Sequence, residues 1–457
     1  MNVAERIDKP TGFAMSLAEA ADAIGARHHG PDTRLAGVCT DTRRLLPGQL
    51  FVALEGPNFD GHDFVPAALD AGAAACLVAR EGTGTPAIVA ADTRRALGEL
   101  ARAWRERFAI PVLAVTGSNG KTTVKEMLAA ILATRGETLA TRGNLNNDIG
   151  VPLTLFELDA AHQAAVIEMG ANHPGEIAWL VSLALPDVAL VTNAGPAHLE
   201  GFGSIEGVAR AKGEIFAGLP ETGTAVINAD DDYAPLWREL AGERRILTFG
   251  LEHGADVSAR WLATPRGSRV TVSTPEGAFV VDLPLPGEHN VMNALAATAA
   301  ALAAGVPLEA IGAGLSAVRG APGRLQIKAG PTGSTLLDDT YNANPASLAA
   351  ALRVLREFPG RHLLALGDMG ELGPEAEALH AEAGRLARAA GVRRLITVGP
   401  MAAAAAAAFG PEATACASRA EAVSVLRELL GPDDVLLVKG SRTSRMDEIV
   451  DALGGEA

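Results

Sequence analysis

The part of this sequence best suited to chemistry is a glycine-rich turn that carries a lysine and two hydroxyls. It follows the apolar run Val112–Val115, and its residues are Gly117, Ser118, Asn119, Gly120, Lys121, Thr122 and Thr123. Backbone N–H groups at a helix start favour an anion, a lysine there reaches outer phosphates, and a hydroxyl can bind Mg²⁺. Because Val115 stands where the usual phosphate loop has its first glycine, a flexible strand-to-helix turn is the alternative. A nucleotide site is the favoured interpretation.

Two further groups follow apolar stretches of the same region and could complete a metal site. Glu168 ends the run Ala-Val-Ile-Glu, and His198 lies in a glycine-rich loop after a second apolar run. Because magnesium usually takes few protein ligands, Thr122, Glu168 and His198 could share Mg²⁺ with phosphate oxygens. An ordinary loop histidine is the alternative for His198. Lys212 lies on a largely apolar helical stretch, and by position alone it is a solvated or snorkelling lysine.

Polar side chains elsewhere form a second group of candidates. Asn146 lies in a glycine-bordered polar segment, whose side chains either cap a helix or bind a ligand. Asn290 and Asn293 fall on one helical face and could read the edge of adenine, although helix capping by Asn290 is equally compatible. Thr42 and Arg43 follow a short strand and could hold a uridine or a pyrophosphate, with ordinary turn chemistry as the alternative.

The last third of the chain contains a comparable polar segment. Asp338 and Asp339 follow an apolar strand, and Asn342 and Asn344 come just before a helix that opens with proline. Adjacent aspartates at a strand end repel each other unless they bind a hydroxyl-rich ligand or a cation. Arg324 lies upstream, just past a Gly/Pro cluster. This segment is therefore a candidate for function rather than for ordinary turn structure.

The strands and helices expected around these residues indicate an α/β protein. Its length of 457 residues predicts about three domains. A small α/β domain spans residues 16–108. Strands and helices then alternate from Ile110 to about Gly320, which implies a mostly parallel sheet with ligands at the carboxyl ends of its strands. Within this region, residues 257–281 have the alternation of β-hairpins. The cluster Gly320–Gly323 suits a hinge, and another α/β set follows it.

Composition excludes several classes of protein. The net charge is −15 and the chain has no basic run, which excludes general binding to nucleic acid and to anionic membranes. The three cysteines are far apart and indicate free thiols in a reducing cytosol. The first 22 residues have no uninterrupted apolar core, and no apolar run reaches membrane-spanning length, so the sequence predicts neither a signal peptide nor membrane insertion.

Together these motifs resemble the Mur ligases, the ATP-dependent amide-forming enzymes of peptidoglycan precursor synthesis. The resemblance runs from Gly37 to Arg445, and Thr116–Thr123 (TGSNGKTT) matches the short phosphate loop of the family, which explains the missing first glycine. Residues 338–345 (DDTYNANP) and 366–373 (LGDMGELG) look like the branch that adds D-alanyl-D-alanine. The sequence lacks the D-N-P-R motif of the branch that adds the third residue.

The resemblance implies a fold and a reaction. It implies a small N-terminal α/β domain (residues 1–108) for the UDP end of the substrate, and a central P-loop-type domain with a mostly parallel sheet (109–321) for ATP and Mg²⁺. A C-terminal Rossmann-like domain (322–457) would bind the incoming dipeptide and complete the ATP site. The implied reaction joins D-alanyl-D-alanine to UDP-N-acetylmuramoyl-tripeptide through an acyl phosphate. A cytoplasmic monomer is expected.

The resemblance also assigns residues. Those implied in ATP binding are Gly117, Ser118, Asn119, Gly120, Lys121, Thr122, Thr123, Asn290, Asn293, Arg324 and Asp339. Those implied at magnesium are Thr122, Glu168 and His198. Those implied in catalysis are Lys121, His198 and Lys212, the last at the place of a lysine that is carbamylated in several family members. Those expected to bind substrate are Thr42, Arg43, Asn146, Asn342 and Asn344.

Two alternative functions are compatible with a phosphate loop. One is a related folylpolyglutamate-type ligase, which shares the loop but is disfavoured by the segments 338–345 and 366–373. The other is a nucleotide-switch protein that binds partners and hydrolyses ATP without an amine acceptor. The dependence of ATP consumption on the acceptor substrates separates the three.

Overall fold

The computed structural model describes residues 12–82, 84–196, 199–264 and 267–454. In these ranges the chain forms three successive α/β units, each with its own main sheet of mostly parallel strands. The expected fold class and its three-domain organisation are therefore confirmed. Among the described residues, no helix is both long and apolar enough to cross a bilayer.

The first unit has a five-stranded sheet and two short strand pairs. Its strands are β1 Met15–Ser16, β2 Arg27–His29, β3 Arg34–Leu35, β4 Val38–Cys39, β5 Leu50–Val52, β6 Glu55–Gly56, β7 Phe59–Asp60, β8 Ala75–Val78 and β9 Ala87–Val89. The sheet order is β2-β9-β8-β5-β4, with β2 antiparallel and the others parallel. Its helices are α1 Leu17–Ala23, α2 Val65–Asp70 and α3 Thr93–Arg105, with 3₁₀ turns at Thr42–Arg44 and Gly61–Phe64.

The central unit is built on six parallel strands in the order β11-β12-β10-β13-β14-β15. They are β10 Val112–Thr116, β11 Glu137–Ala140, β12 His162–Glu168, β13 Val188–Val191, β14 Thr224–Asn228 and β15 Arg245–Phe249. The helices between them are α4 Lys121–Ala133, α5 Gly150–Leu155, α6 Glu176–Ala184, α7 Leu199–Phe202, α8 Ile205–Ala217 and α9 Ala234–Ala241. The phosphate loop thus joins a central strand, β10, to α4.

An antiparallel sheet and two helices complete the central unit, as the alternation over residues 257–281 predicts. The strands are β16 Ser258–Thr264, β17 Gly267–Thr274 and β18 Gly277–Leu283, and the helices are α10 Glu288–Ala303 and α11 Leu308–Ala317. Helix α10 is buried along most of its length because its alanines allow it to pack closely against α4 and the sheet.

The third unit has six strands in the order β19-β20-β24-β21-β22-β23, with β19 antiparallel at one edge. The strands are β19 Gln326–Ala329, β20 Thr335–Asp339, β21 Arg361–Gly367, β22 Arg394–Val398, β23 Ala413–Cys416 and β24 Asp434–Lys439. The helices are α12 Pro345–Glu357, α13 Ala376–Ala389, α14 Ala402–Phe409, α15 Arg419–Leu429 and α16 Asp447–Leu453, with 3₁₀ turns at Pro331–Gly333, Gly373–Glu375 and Arg442–Ser444.

The apolar cores are not distributed one to each unit. The first and central units share one core, in which the Phe13 ring lies 5.2 Å from Trp104 and 4.9 Å from Phe156, measured between centroids. The Trp104 Nε1–H also donates to the Leu158 carbonyl across the same junction, at 3.1 Å. The two described cores of the third unit contain residues of that unit alone. The third unit therefore shares no described apolar core with the rest of the protein, and it meets the central unit along the cleft described below.

Candidate active site

A cleft of ≈ 1110 Å³ lies where the carboxyl ends of the central strands face the third unit. Most of the residues singled out from the sequence line it. They are Ser118, Asn119, Gly120, Lys121, Thr122, Thr123, Asn146, Glu168, Lys212, Asn290, Asn293, Arg324, Asp339, Asn342 and Asn344. Gly117, Thr42 and Arg43 are not among its lining residues, and His198 lies outside the described residues.

The phosphate loop needs glycine at two positions. Gly117 has a φ of +143°, and a Cβ there would lie 1.9 Å from the Thr192 hydroxyl oxygen. Gly120, the residue before α4, has a φ of +85°, and a Cβ there would lie 2.4 Å from Asn293 Oδ1. Only glycine fits this backbone conformation and this spacing without strain. The turn is therefore shaped by its neighbours as much as by its own sequence.

The Lys121 ammonium lies over this turn. Its Nζ donates to the Gly117 carbonyl at 2.7 Å and to the Ser118 carbonyl at 3.3 Å. Burial lowers the pKa of Lys121, and the nearby Arg324 adds to that effect while Glu168 opposes it. The lysine is held at the start of α4, where the helix dipole also favours an anion.

Glu168 is an incompletely satisfied carboxylate at the end of β12, beside Val115 of β10. Only 2% of its surface is exposed. Its Oε1 accepts a hydrogen bond from Asn146 Nδ2 at 2.8 Å, whereas its Oε2 is buried with no partner among the described residues. A buried carboxylate oxygen without a partner is costly unless a cation or donor binds it. No cluster of three or more acidic, histidine or cysteine side chains forms a metal site within the described ranges.

Lys212 is buried rather than solvated or snorkelling, with 2% of its surface exposed. Its Nζ lies 3.4 Å from the Ala171 carbonyl oxygen and 5.4 Å from the centroid of the Phe202 ring. Burial lowers its pKa from 10.5 to about 7, and the charge of Lys121 adds to that shift. Much of this amine is therefore neutral, and hence nucleophilic, near neutral pH.

This shift predicts how stability depends on pH. Between pH 7 and 10.5 the unfolded chain keeps the proton on Lys212 that the folded protein has lost. The free energy of unfolding should therefore rise with pH across this window, because the unfolded state binds more protons. We expect Lys212→Met to flatten this rise in thermal unfolding scans. Lys328→Met, which replaces a partly exposed lysine, is the control and should keep the wild-type slope; equal slopes in both variants would contradict the prediction.

Asn290 and Asn293 lie in the first turns of α10, and both are buried. The cap of this helix is Gly287, so the alternative of helix capping by Asn290 is wrong. Asn290 Nδ2 donates to the Pro286 carbonyl at 2.8 Å, and Asn293 Nδ2 lies 3.3 Å from Asn290 Oδ1. Both amides are held in fixed orientations at the wall of the cleft.

Arg324 extends from the third unit toward the phosphate loop. Its Nη2 donates to the Thr122 hydroxyl at 2.9 Å, and its guanidinium stacks on the Tyr341 ring at 4.2 Å. Its Nε is buried with no partner among the described residues. The Arg324 guanidinium therefore lies beside the Thr122 hydroxyl, where a nucleotide phosphate is expected. It keeps one N–H donor, at Nε, without a described partner.

Asp338 and Asp339 do not act as a pair. Successive residues of a strand point to opposite faces, so each carboxylate meets its own lysine. Lys328 Nζ donates to Asp338 at 2.7 Å, and the buried Lys439 Nζ donates to Asp339. The expectation that adjacent aspartates need a bound cation or hydroxyl is thus wrong for Asp338, which is not among the residues that line the cleft. Asp339 does line the cleft.

The two asparagines of the segment differ in what they contact. Asn342 is exposed, and its side-chain oxygen accepts the Ala343 N–H at 2.9 Å. Asn344 caps α12 by accepting the Ser347 N–H at 2.8 Å, and its Nδ2 donates to Asn119 at 3.1 Å. The polar atoms of Asn344 are thus already bonded to protein groups.

The first unit reaches the cleft through a residue that the sequence did not single out. Arg94 lines the cleft and pairs with Asp148 of the central unit at 2.6 Å. By contrast, Arg43 pairs with the nearby Asp41 at 2.7 Å and is largely exposed. Arg94 follows a helix-capping Asp92, and this position at a helix start was the available signal.

His289 is a second residue that sequence reasoning missed. It lines the cleft beside Asn290, and its pKa is lowered from 6.5 to about 4 by burial, which outweighs the opposing effect of Asp339. Its imidazole is therefore neutral at neutral pH. The available signal was its place in the Gly-Glu-His-Asn opening of α10.

Known protein families match this chain in three segments that correspond to its three units. Family models for the Mur ligase family catalytic domain, the Mur ligase middle domain and the Mur ligase glutamate ligase domain match residues 34–111, 115–301 and 323–442. The UDP-N-acetylmuramoyl-tripeptide–D-alanyl-D-alanine ligase of Escherichia coli K12 is 47% identical over 446 residues, covering 96% of this chain and 98% of that protein.

Solved structures agree with the sequence relatives. A crystal structure of MurF from Acinetobacter baumannii superposes with a TM-score of 0.91 at 40% identity, covering 97% of this chain and 99% of that one. MurF ligase from Thermotoga maritima in complex with ADP has a TM-score of 0.83 at 29% identity, with 91% and 96% covered. The expected family and its D-alanyl-D-alanine-adding branch are confirmed. The chain belongs to the Mur ligase family.

Proposed function

We propose that this chain joins D-alanyl-D-alanine to UDP-N-acetylmuramoyl-tripeptide with the consumption of ATP. The observation that carries the proposal is that the phosphate loop and the segment 338–345 face each other across one cleft. The 47% identity to an Escherichia coli protein named for this reaction supports the same substrates. The product is the UDP-linked pentapeptide precursor of peptidoglycan.

The reaction has two steps. A terminal carboxylate oxygen of the tripeptide attacks the γ-phosphorus of ATP, and the bond to the β-phosphate oxygen breaks, which gives an acyl phosphate and ADP. The neutral amine of D-alanyl-D-alanine then attacks the acyl carbon; phosphate leaves, and the amine loses its proton. Phosphoryl transfer needs positioned charge more than a covalent protein group, which suits a lysine, an arginine and backbone N–H groups.

The nucleotide-binding residues are assigned by their positions. Lys121 contacts the β- and γ-phosphates above the loop residues Gly117–Thr123, and Arg324 reaches the same phosphates from the third unit. Asn290 and Asn293 lie near adenine. Asp339, held by Lys439, completes the ATP site from the far wall. These assignments are supported by the shared cleft and by the free Nε of Arg324.

The residues around Glu168 fit a magnesium site. The free Oε2 of Glu168 and the Thr122 hydroxyl are hard oxygen ligands of the kind Mg²⁺ takes, and we assign His198 to the same site. Mg²⁺ there would neutralise charge on the phosphates during transfer. Lys212 is assigned a catalytic role beside this site; its neutral amine could react with CO₂, and the carbamate so formed would present a carboxylate there.

The remaining assignments concern the substrates. Thr42 and Arg43 bind the uridine diphosphate end in the first domain (1–108), while Asn146 lies near the peptide carboxylate. Asn342 and Asn344 lie at the dipeptide in the third domain (322–457), and the central domain (109–321) holds ATP. One chain supplies all of these residues, so a monomer suffices. The nucleotide-linked substrate assigns the reaction to the cytoplasm.

The test is an ADP-release assay with each UDP-linked peptide and with folate, in the presence and absence of D-alanyl-D-alanine. We expect ADP release to rise when UDP-tripeptide and D-alanyl-D-alanine are both present, with pentapeptide formed in equal amount. ATP consumption that ignores both substrates would favour the nucleotide switch. Consumption that requires a folate and glutamate would favour the folylpolyglutamate-type ligase.

A further inference from the structure

A single amide–amide hydrogen bond joins the phosphate loop to the segment that begins α12. Asn344 Nδ2 donates to Asn119 Oδ1 at 3.1 Å, between residues 225 positions apart in the chain. Both side chains are partly buried and line the cleft. The bond therefore connects the nucleotide side of the site directly with the side proposed to bind the acceptor.

The orientation of the Asn344 amide is fixed by its role as a helix cap. Its Oδ1 accepts the Ser347 N–H at 2.8 Å, and its backbone N–H donates to the Ser347 hydroxyl at 3.0 Å. The Nδ2 group must therefore face Asn119. Serine caps a helix as well as asparagine does, but its hydroxyl lies where the amide carbon of asparagine lies and does not reach Asn119. Capping alone does not require a side chain of this length, whereas the bond to Asn119 does.

The backbone of Asn119 is anchored on the other side of the loop. Its N–H donates to Asn193 Oδ1 at 3.0 Å, and its carbonyl accepts hydrogen bonds from the Thr192 hydroxyl at 2.6 Å and from Asn193 Nδ2 at 3.1 Å. These contacts fix the main chain at the end of β13. The side chain of Asn119 is thus presented from a rigid loop to the third unit.

We propose that Asn344 is a positioning residue that holds the acceptor-binding segment against the phosphate loop while the acyl phosphate exists. The assignment rests on the proposed function. If water attacks the acyl carbon in place of the amine, the bond to phosphate breaks and the tripeptide carboxylate is regenerated, so that ATP is consumed without product. Seating the third unit over the loop excludes that water and brings the amine to the carbonyl.

The test is Asn344→Ser in the full chain, assayed with UDP-tripeptide, D-alanyl-D-alanine, ATP and Mg²⁺. This variant keeps the cap, because serine also caps a helix, but its side chain is too short to reach Asn119. We expect an unchanged thermal midpoint. We also expect the excess of ADP released over pentapeptide formed, per pentapeptide, to rise about fivefold, the loss corresponding to one net hydrogen bond.

A double-mutant cycle shows whether the effect passes through Asn119. Asn119→Ser shortens the acceptor side chain and keeps the backbone N–H, so it should raise the same excess of ADP over pentapeptide. The double variant should be no worse than the worse single variant, because both remove one bond. Asn342→Ser is the matched comparison: it changes the neighbouring exposed asparagine in the same way, and we expect it to raise the KM for D-alanyl-D-alanine while ADP and product stay equal.

Three results would overturn the assignment. One is a wild-type excess of ADP over product in Asn344→Ser. Another is a rise in dipeptide KM alone, which would make Asn344 a direct dipeptide contact like Asn342. The third is simple additivity of the Asn119 and Asn344 variants. A wild-type chain that forms no pentapeptide would instead overturn the proposed function and this assignment with it.

Discussion

Replacing Lys121 with alanine is expected to lower kcat/KM for pentapeptide formation by about 10³-fold, a loss typical of removing a key charge-stabilising group. In the structure the Lys121 ammonium is held above the turn by the Gly117 and Ser118 carbonyls, so it is positioned before any phosphate arrives. No other described lysine stands at the start of α4. Steady-state assays with varied ATP would measure the effect.

A suitable control is the next lysine on the same helix. Lys125 is buried and pairs with Glu126, and it is not among the residues that line the cleft. Lys125→Met keeps the buried stem and should retain near-normal turnover. Near-normal turnover in Lys121→Ala would instead remove the phosphate loop from the mechanism.

The second large effect is expected for Glu168→Gln, with opposite consequences for activity and stability. The substitution keeps the shape of the side chain, and its Oε1 can still accept from Asn146. It removes a buried negative charge whose Oε2 has no partner among the described residues, so the thermal midpoint should hold or rise. Loss of an anionic ligand should lower kcat by about 10²-fold and increase the Mg²⁺ concentration needed for half-maximal activity.

Glu157→Gln provides the comparison for this prediction. Glu157 is a partly buried carboxylate of the same unit that pairs with Arg142 at 2.9 Å and is not among the cleft-lining residues. Its loss should leave the Mg²⁺ dependence unchanged. If Glu168→Gln keeps the wild-type Mg²⁺ dependence, Glu168 does not serve the metal.

The sequence predicted the parts of the site that are contiguous in the chain. The phosphate loop and the carboxylate that ends β12 follow continuous apolar strands, and such strands are buried on both faces in a parallel sheet, which makes them easy to recognise. Among the strands that it missed are β2, β11, β19 and β23. They lie at sheet edges, where one side is solvated and the residues are polar or mixed in polarity.

The errors and omissions within the site have a different cause. Whether Asp338 meets a ligand or Lys328 depends on the face to which the strand turns it, and the neighbouring strand sets that. The bonds from Arg324 to Thr122 and from Asn344 to Asn119 join residues more than 200 positions apart. Such pairings depend on how the units dock, and a single sequence carries no local signal of them. Arg94 and His289 had a local signal only in their places at helix starts, and that signal does not tell that they line the cleft.

The unequal division of the apolar cores has a consequence for how the protein unfolds. Because Phe13, Trp104 and Phe156 belong to one core, the first and central units should melt as a single cooperative block. The third unit, whose cores are its own, should form a second block that shares no described apolar core with the first. In calorimetry, a ligand that spans the cleft would then merge two transitions into one.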